Sequence, residues 1–148
     1  MGKDDELRRP TFRASREGLA QVLGALEAEI MEYVWGTAAG PVPAREVAER
    51  VGGGRGVSYI TVVTVMNNLC RKGLLRRERH GRAYHYAPRL SRDRFLGRVS
   101  RQVLAGMIRL SPEVAVNSFV DVLTELSPEA LGRLQRALEE KRREERER

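Results

Sequence analysis

Residues 58–70, with the sequence SYITVVTVMNNLC, decide the fold, because the six residues from 60 to 65 are all β-branched. Composition alone favours a strand there, but strand alternation would mix apolar and hydroxyl side chains on both faces. On a helical wheel at about 100° per residue, the apolar and polar side chains separate into two arcs. The apolar arc holds Tyr59, Val62, Val63, Val65, Met66, Leu69 and Cys70, and the polar arc holds Thr61, Thr64, Asn67, Asn68, Arg71 and Lys72. Ile60 alone is out of phase, so the pattern predicts a helix, with Ser58 as its N-cap and Gly73 at its C-terminal end.

Two further helices are predicted upstream. Apolar residues recur at helical spacing at Leu23, Leu26, Ile30 and Val34, and Gly and Pro end that helix within the stretch WGTAAGPVP. A short helix follows in AREVAERVGGGRG, and we interpret the glycines at 52–54 as its end and as a connector. A phosphate-binding loop is the weaker interpretation, because no strand precedes these glycines and no Gly-Lys-Ser/Thr follows them. Residues 1–22 are mostly polar and predict a flexible N-terminal arm.

Downstream of residue 73 the pattern changes to that of a β-hairpin. Two extended segments, residues 75–79 and 83–87, flank the turn His80-Gly81-Arg82. Residues 58–90 carry seven Lys and Arg side chains against one acidic side chain. Nearly all of the formal net charge of +7 therefore lies in the helix and this hairpin.

Three helices are predicted after the hairpin. The first is capped by Ser91, and the other two each begin with Ser-Pro-Glu, at residues 111–113 and 127–129. Their apolar stripes predict a helical dimerisation domain over residues 91–148, ending in a charged C-terminal tail. The residues expected in the dimer core are Phe95, Val99, Val103, Met107, Phe119, Leu123, Leu131, Leu134 and Leu138.

The composition of the 148 residues argues against several classes of protein. A single cysteine, Cys70, allows no intramolecular disulfide, and with only His80 and His85 beside it one chain cannot assemble a zinc site from Cys and His. We therefore expect no metal, no cofactor and a cytoplasmic location. No apolar run approaches the roughly 18 residues of a membrane span, and the N-terminus lacks the apolar region of a signal peptide. Without a nucleophile elbow, a phosphate loop or a carboxylate paired with a histidine, we predict no enzyme.

The order of the predicted elements over residues 23–90 is that of a winged helix-turn-helix domain. The expected fold is mainly α with a small β-hairpin wing. A helix fits the major groove of DNA, where base edges differ, and a neighbouring hairpin reaches the backbone or the minor groove. In this hypothesis the basic side chains contact phosphates, and Ile60 meets a thymine methyl group. The residues predicted to contact DNA are Ser58, Ile60, Thr61, Thr64, Asn67, Asn68, Arg71, Lys72, Arg76, Arg77, Arg79 and Arg82.

Five other residues have competing interpretations. Tyr59 and Cys70 lie on the apolar arc, which favours core positions over base stacking and redox sensing. Tyr84 and Tyr86 are expected to pack the hairpin onto the domain, and His80 to serve the turn. The alternative function is a winged helix that docks another protein and binds no specific DNA.

Four segments resemble the BlaI/MecI/CopY family of bacterial repressors, the penicillinase and methicillin-resistance repressor type. They are LEAEIMEYVW, VPAREVAERV, SYITVVTVMNNLCRKGLLRRERHGRAYHYAP and LSPEALGRLQRALEE, within about residues 23–140. The resemblance implies a homodimeric transcriptional repressor that binds an inverted-repeat DNA operator. In the drug-resistance members it also implies a sensor or protease as a further partner.

Two departures limit what the resemblance implies about induction. The cleaved members carry an Asn-Phe bond in the dimerisation region, where this chain reads Asn117-Ser118-Phe119, so the dipeptide is interrupted. Copper-responsive members use C-terminal Cys-x-Cys motifs, and this chain has no cysteine after Cys70. Copper sensing by that route is therefore excluded.

Overall fold

The computed structural model describes residue 12 and residues 18–37 and 40–148. The chain divides into two compact units, Met1–Ser100 and Arg101–Arg148. We call them the first unit and the second unit. In the described part of the chain, no helix is both long and apolar enough to cross a membrane.

The first unit is a winged helix-turn-helix, as predicted, and helices follow it to the C-terminus. A 3-10 turn at Gly18–Gln21 precedes the first helix, and a π-helical segment at Ala48–Gly52 joins two short helices. The helices and strands are α1 (Ala25–Gly36), β1 (Val42–Pro43), α2 (Ala44–Val47), α3 (Gly53–Arg55), α4 (Tyr59–Arg71), β2 (Leu75–His80), β3 (Ala83–Pro88), α5 (Arg92–Leu110), α6 (Pro112–Leu126) and α7 (Pro128–Arg146).

Helix α4 confirms the helical interpretation of the β-branched run. The Ser58 Oγ accepts a hydrogen bond from the Thr61 N–H at 3.2 Å, and Gly73 takes the left-handed conformation with φ of 76°. Val62, Met66 and Leu69 are completely buried, so the apolar arc faces the core. Burial of this arc outweighs the few tenths of a kcal/mol per residue, roughly, that β-branching costs a helix.

The core position predicted for Tyr59 is wrong, because its side chain is 54% exposed. As the first residue of α4 it lies at the edge of the domain, where it lines a groove together with Arg82 and Tyr84. The helical wheel gives the direction of a side chain but not the distance that the core extends along the helix axis.

The wing is a three-stranded antiparallel sheet in the order β1-β3-β2. The hairpin matches the prediction, with each strand one residue longer and with Gly81 at φ of 65° in the turn. Strand β1 was not predicted, because two residues are too few to show a period. Its Val42 pairs with the buried Tyr86 in the middle of β3.

The helix end predicted at the glycines 52–54 is also wrong. Helical structure continues through Arg55 and ends at Gly56, whose φ of 66° is the left-handed conformation that glycine favours. Gly52 has a different role, because a Cβ built there would lie 2.9 Å from the Val57 carbonyl oxygen and 3.0 Å from Val62 Cγ2. The glycine therefore permits the close approach of α4 to the preceding turn.

Helix α1 fixes three later elements through its three glutamates. Each carboxylate pairs with a cation on a different part of the first unit. The pairs are Glu29 with Arg55 at 2.7 Å, Glu27 with Lys72 at 2.5 Å and Glu32 with Arg92 at 3.0 Å. The apolar stripe of α1 packs inward, where Ile30 and Met31 are completely buried.

The predicted arm at residues 1–22 lies largely outside the described residues. Its last part is not an arm, because Leu19 and Val22 are 6% and 9% exposed and the Leu23 N–H donates to the Leu19 carbonyl at 2.9 Å.

The start of α5 differs from the prediction that residues 91–148 form one domain. Phe95 and Val99 are buried in the first unit, and the Phe95 ring lies 5.6 Å from that of Trp35. Trp35 also donates from Nε1 to the Leu90 carbonyl at 2.9 Å. Phe95 and Val99 are buried in the first unit and therefore do not lie on the surface predicted for dimerisation.

The second unit contains the rest of α5 together with α6 and α7. Ser111 caps α6 as predicted, accepting from the Val114 N–H at 3.4 Å, whereas Ser127 makes no side-chain capping bond to α7. Among the described residues of this unit, Ala115 is the one buried apolar side chain. Its other apolar residues are half-buried or exposed.

Candidate nucleic-acid interface

The outer face of α4 presents short polar side chains around one large apolar one. Ile60 is 75% exposed, and Thr61 and Thr64 are exposed beside it. The hydroxyl groups of Ser58 and Thr61 lie 2.9 Å apart, and the Thr64 Oγ1 donates to the Ile60 carbonyl at 2.9 Å. These local bonds orient the threonines and leave the Ile60 side chain as the most exposed apolar group of the helix.

Asn67 differs from the other predicted contacts because its carbonyl oxygen is turned toward the wing. Its Oδ1 accepts from the Tyr86 hydroxyl at 2.9 Å and from Arg77 Nη1 at 3.4 Å. Burial raises the pKa of Tyr86, which keeps the hydroxyl protonated as a donor. Asn67 therefore connects α4 to the sheet, while the adjacent Asn68 accepts from Arg71 on its own helix.

Lys72, which the sequence predicts to contact DNA, forms an ion pair within the fold. Its Nζ lies 2.5 Å from Glu27 Oε1, and the Glu27 side chain is only 15% exposed. The other oxygen of Glu27 accepts from the Gly24 N–H at 2.8 Å. The pair joins the end of α4 to the start of α1, a contact between distant residues that a helical wheel does not reveal.

Each arginine of strand β2 has a partner that restrains it. Arg76 is paired with Glu78, and the guanidinium of Arg77 lies 4.2 Å from the centroid of the Tyr84 ring. Arg79 donates from Nε to the Gly81 carbonyl at 3.1 Å, which holds it beside the turn. The wing thus presents fixed guanidinium groups, whose planar donors suit phosphate oxygens.

A groove of about 800 Å³ lies between the start of α4 and the wing. Tyr59 and Val63 line it from the helix, Arg82 and Tyr84 from the hairpin, and Arg45 from α2. Tyr84 is 42% exposed, so the prediction that it packs the hairpin onto the domain is wrong. The same prediction is confirmed for Tyr86, which is 1% exposed. Alternation along β3 places both tyrosines on the same face of the strand, and Tyr84 lies two residues nearer the exposed turn.

The histidines and the cysteine of the wing region show no metal-binding arrangement. The rings of His80 and His85 lie 4.2 Å apart, and His80 Nε2 is 3.2 Å from a Glu78 oxygen. Within the described residues, no group of three His, Cys, Asp or Glu side chains is placed to hold a metal ion. Burial raises the pKa of the Cys70 thiol, against the opposing influence of Arg77 and Arg89, so the neutral thiol is favoured.

Sequence reasoning missed two basic residues that the fold brings to this surface. Arg45 lines the groove from α2, and Arg89 lines a second cavity at the base of the wing. The hairpin register contains a signal for Arg89, because Pro88 pairs with Leu75 and the next residue must lie near the start of β2. Nothing local to the AREV segment indicates the position of Arg45.

Comparison with known proteins identifies the relatives of this sequence. The penicillinase repressor family matches residues 23–140. Proteins named transcriptional regulator BlaI, from Mycobacterium tuberculosis strains CDC 1551 / Oshkosh and ATCC 25618 / H37Rv, are each 35% identical over 83 residues. That match covers 56% of this chain and 59% of the length of each relative.

Solved structures also resemble this one. The DNA-binding domain of the repressor BlaI is 23% identical with a TM-score of 0.43, and the match covers 52% of this chain and 90% of that domain. Streptococcus pneumoniae FabT, solved in complex with DNA, is 21% identical with a TM-score of 0.41, covering 84% of this chain and 82% of FabT.

Proposed function

The chain belongs to the penicillinase repressor family, and we propose that it is a sequence-specific DNA-binding transcriptional repressor. The observation that carries this proposal is the exposed polar face of α4, placed beside a wing whose arginines are fixed by local partners. Membership in a repressor family agrees with the prediction that the chain is not an enzyme.

In the proposed complex, α4 enters the major groove. Ile60, 75% exposed, meets a thymine methyl, and Thr61 and Thr64 approach neighbouring base edges or phosphates. The amide nitrogen of Asn67 is the part of that side chain available to DNA, because its oxygen is bonded to the wing. Guanidinium groups on the wing take phosphates, which orients the protein without reading sequence.

The proposal includes a homodimer formed through the second unit. Exposed apolar side chains on α5 and α6, among them Met107 at 42% and Phe119 at 39%, provide the surface. A two-fold dimer presents two α4 helices, which fits an inverted-repeat operator whose half-sites lie about one or two helical turns apart. The predicted dimer residues Val103, Leu123, Leu131 and Leu134 are half-buried in the second unit, and Leu138 is 50% exposed.

Binding of the purified full chain to DNA from upstream of its own coding region tests the proposal. Fluorescence anisotropy should show tighter binding to this DNA than to a scrambled duplex of equal composition. If the protein neutralises about 6 phosphates, affinity should fall about a thousandfold between roughly 50 and 200 mM salt. Equal, weak binding to both duplexes at every salt concentration would instead favour the protein-docking alternative.

Membership in the penicillinase repressor family also leads us to propose a sensor or protease partner and a cytoplasmic location. The interrupted site Asn117-Ser118-Phe119 lies inside helix α6, whereas proteases cleave locally opened chain. Immunoblotting of the chain in cells under cell-wall stress tests this partner. A shorter fragment would support a protease, and constant length throughout derepression would exclude one.

A further inference from the structure

Four arginines line one cavity at the base of the wing. The cavity, of about 650 Å³, lies where the end of α4 meets the start of β2, and no acidic side chain lines it. Its lining residues are Asn67, Cys70, Arg71, Leu75, Arg76, Arg77 and Arg89. Three of these arginines come from segments already considered for DNA contact, and Arg89 comes from the residue that follows β3.

We infer that Arg71, Arg76, Arg77 and Arg89 form one anion-binding pocket that takes a phosphodiester of the DNA backbone. This inference rests on the proposed DNA-binding function and adds to it a discrete phosphate site. In this pocket Arg89 contacts the phosphate directly and anchors the base of the wing on the DNA backbone.

The arginines of this pocket differ in how they are held. Arg71 donates to Asn68, Arg76 is paired with Glu78, and Arg77 donates to Asn67 and lies over Tyr84. Among the described residues, no side chain bonds to the guanidinium of Arg89. Partners within the protein thus restrain the guanidinium groups of Arg71, Arg76 and Arg77. The N–H donors of Arg89 remain available for a ligand.

The backbone holds Arg89 in place although its side chain is uncommitted. Its N–H donates to the Leu74 carbonyl at 2.9 Å, immediately beyond the pairing of Pro88 with Leu75. Arg77 and Arg89 line the cavity together with the half-buried Cys70, and both oppose the rise that burial causes in the pKa of its thiol. A ligand entering there meets cations from two sides.

Charge decides the class of ligand. Four like charges in one cavity repel one another, and the single neighbouring carboxylate, Glu78, already pairs with Arg76. A phosphate group relieves this repulsion and accepts from several guanidinium donors at once. The pocket lies between α4 and β2, the two elements that the proposed complex places on DNA, so a backbone phosphate fits better than a free anion.

The test compares the full chain with R89Q, R89K and the control variant R136Q. Arg136 is exposed on α7 in the second unit, so R136Q makes the same charge change far along the chain from the pocket. We expect R89Q to bind the upstream DNA about 5- to 10-fold more weakly and to lower the salt slope by about one. R89K should recover part of the affinity, and R136Q should match the wild type.

Further measurements separate the possible outcomes. R89Q should unfold at the same temperature midpoint as wild type. If it does not, the salt slope of R89K is compared with that of wild type instead. If R89Q matches R136Q in affinity and slope, the inference is overturned while the proposed function stands. Wild-type chain that shows no specific DNA binding overturns both. Inorganic phosphate that binds wild type but not R89Q, and that leaves the affinity for DNA unchanged at equal ionic strength, assigns the pocket to a free anion and overturns the DNA assignment.

Discussion

The two units of this chain divide charge and apolar surface in opposite ways. Residues 101–148 contain nine basic and nine acidic side chains, so the whole net charge of +7 lies in the first 100 residues. In the described residues, the first unit buries most of its apolar side chains, whereas the second exposes most of its large ones. This difference supports the proposals that the first unit, which has a core of its own, offers its charge to a polyanion and that the second unit packs against an apolar partner surface.

The largest expected effect comes from placing a charge on the apolar surface of the second unit. If the second unit forms the proposed homodimer, Phe119→Glu should give a monomer and weaken binding to the proposed operator at least about a hundredfold, because two linked half-site contacts become one. Sedimentation velocity and anisotropy measure both effects. Asn117→Glu, a charge at an exposed polar position of the same helix, is the control. A Phe119→Glu variant that stays dimeric would show that this apolar surface is not the dimer interface.

The second effect tests whether a hydrogen bond between α4 and the wing stabilises the first unit. Asn67→Ala leaves the hydroxyl of Tyr86 without its acceptor and should lower the free energy of unfolding by about 1–2 kcal/mol. Urea unfolding followed by the fluorescence of Trp35, the single tryptophan, reports on this unit. Adding Tyr86→Phe should restore part of the loss. An additive double variant would show that the hydrogen bond does not link α4 to the wing.

A smaller effect is expected for Lys72, which we assign to the stability of the fold, unlike the cations that we assign to DNA binding. Lys72→Met should cost about 1 kcal/mol, since Lys72 is partly exposed and its pair with Glu27 joins α1 to α4. The same variant should leave the salt slope of DNA binding unchanged. Arg82→Met, at the exposed turn, is the matched control and should lower that slope by about one without loss of stability. A reversed pattern would return Lys72 to its sequence-predicted role.

The smallest effect is alkaline destabilisation confined to the first unit. Burial raises the pKa of Cys70 and of Tyr86, so the unfolded chain loses these protons at lower pH than the folded chain. Their contribution to stability is complete below the unfolded pKa values and is lost as pH rises past about 9 toward the folded values. Trp35 fluorescence melts at pH 8 and pH 10 measure this loss. A Cys70→Ala/Tyr86→Phe variant should show a smaller pH dependence.

Sequence reasoning predicted what depends on local period and failed where distant residues meet. Helix α4, its cap at Ser58 and the hairpin all follow from side-chain alternation and from turn residues. The partners of Lys72 and Asn67, and the cavity around Arg89, depend on contacts between elements far apart in sequence. The apolar stripe of α5 predicts Phe95 in the dimer core because the stripe continues into the second unit, whereas the Phe95 ring packs near that of Trp35. The family resemblance added the function, which periodicity alone does not give.

The strand order β1-β3-β2 leaves β2 as an edge of the sheet, where backbone donors and acceptors can recruit a strand from another molecule. Arg76, Arg77 and Arg79 lie on this edge, and like charges on a second copy would repel it. The cations that we assign to phosphate thus also oppose aggregation of the chain at high concentration. Replacing one of these arginines by a neutral residue would therefore weaken the proposed phosphate contacts and also remove a barrier to edge-to-edge pairing.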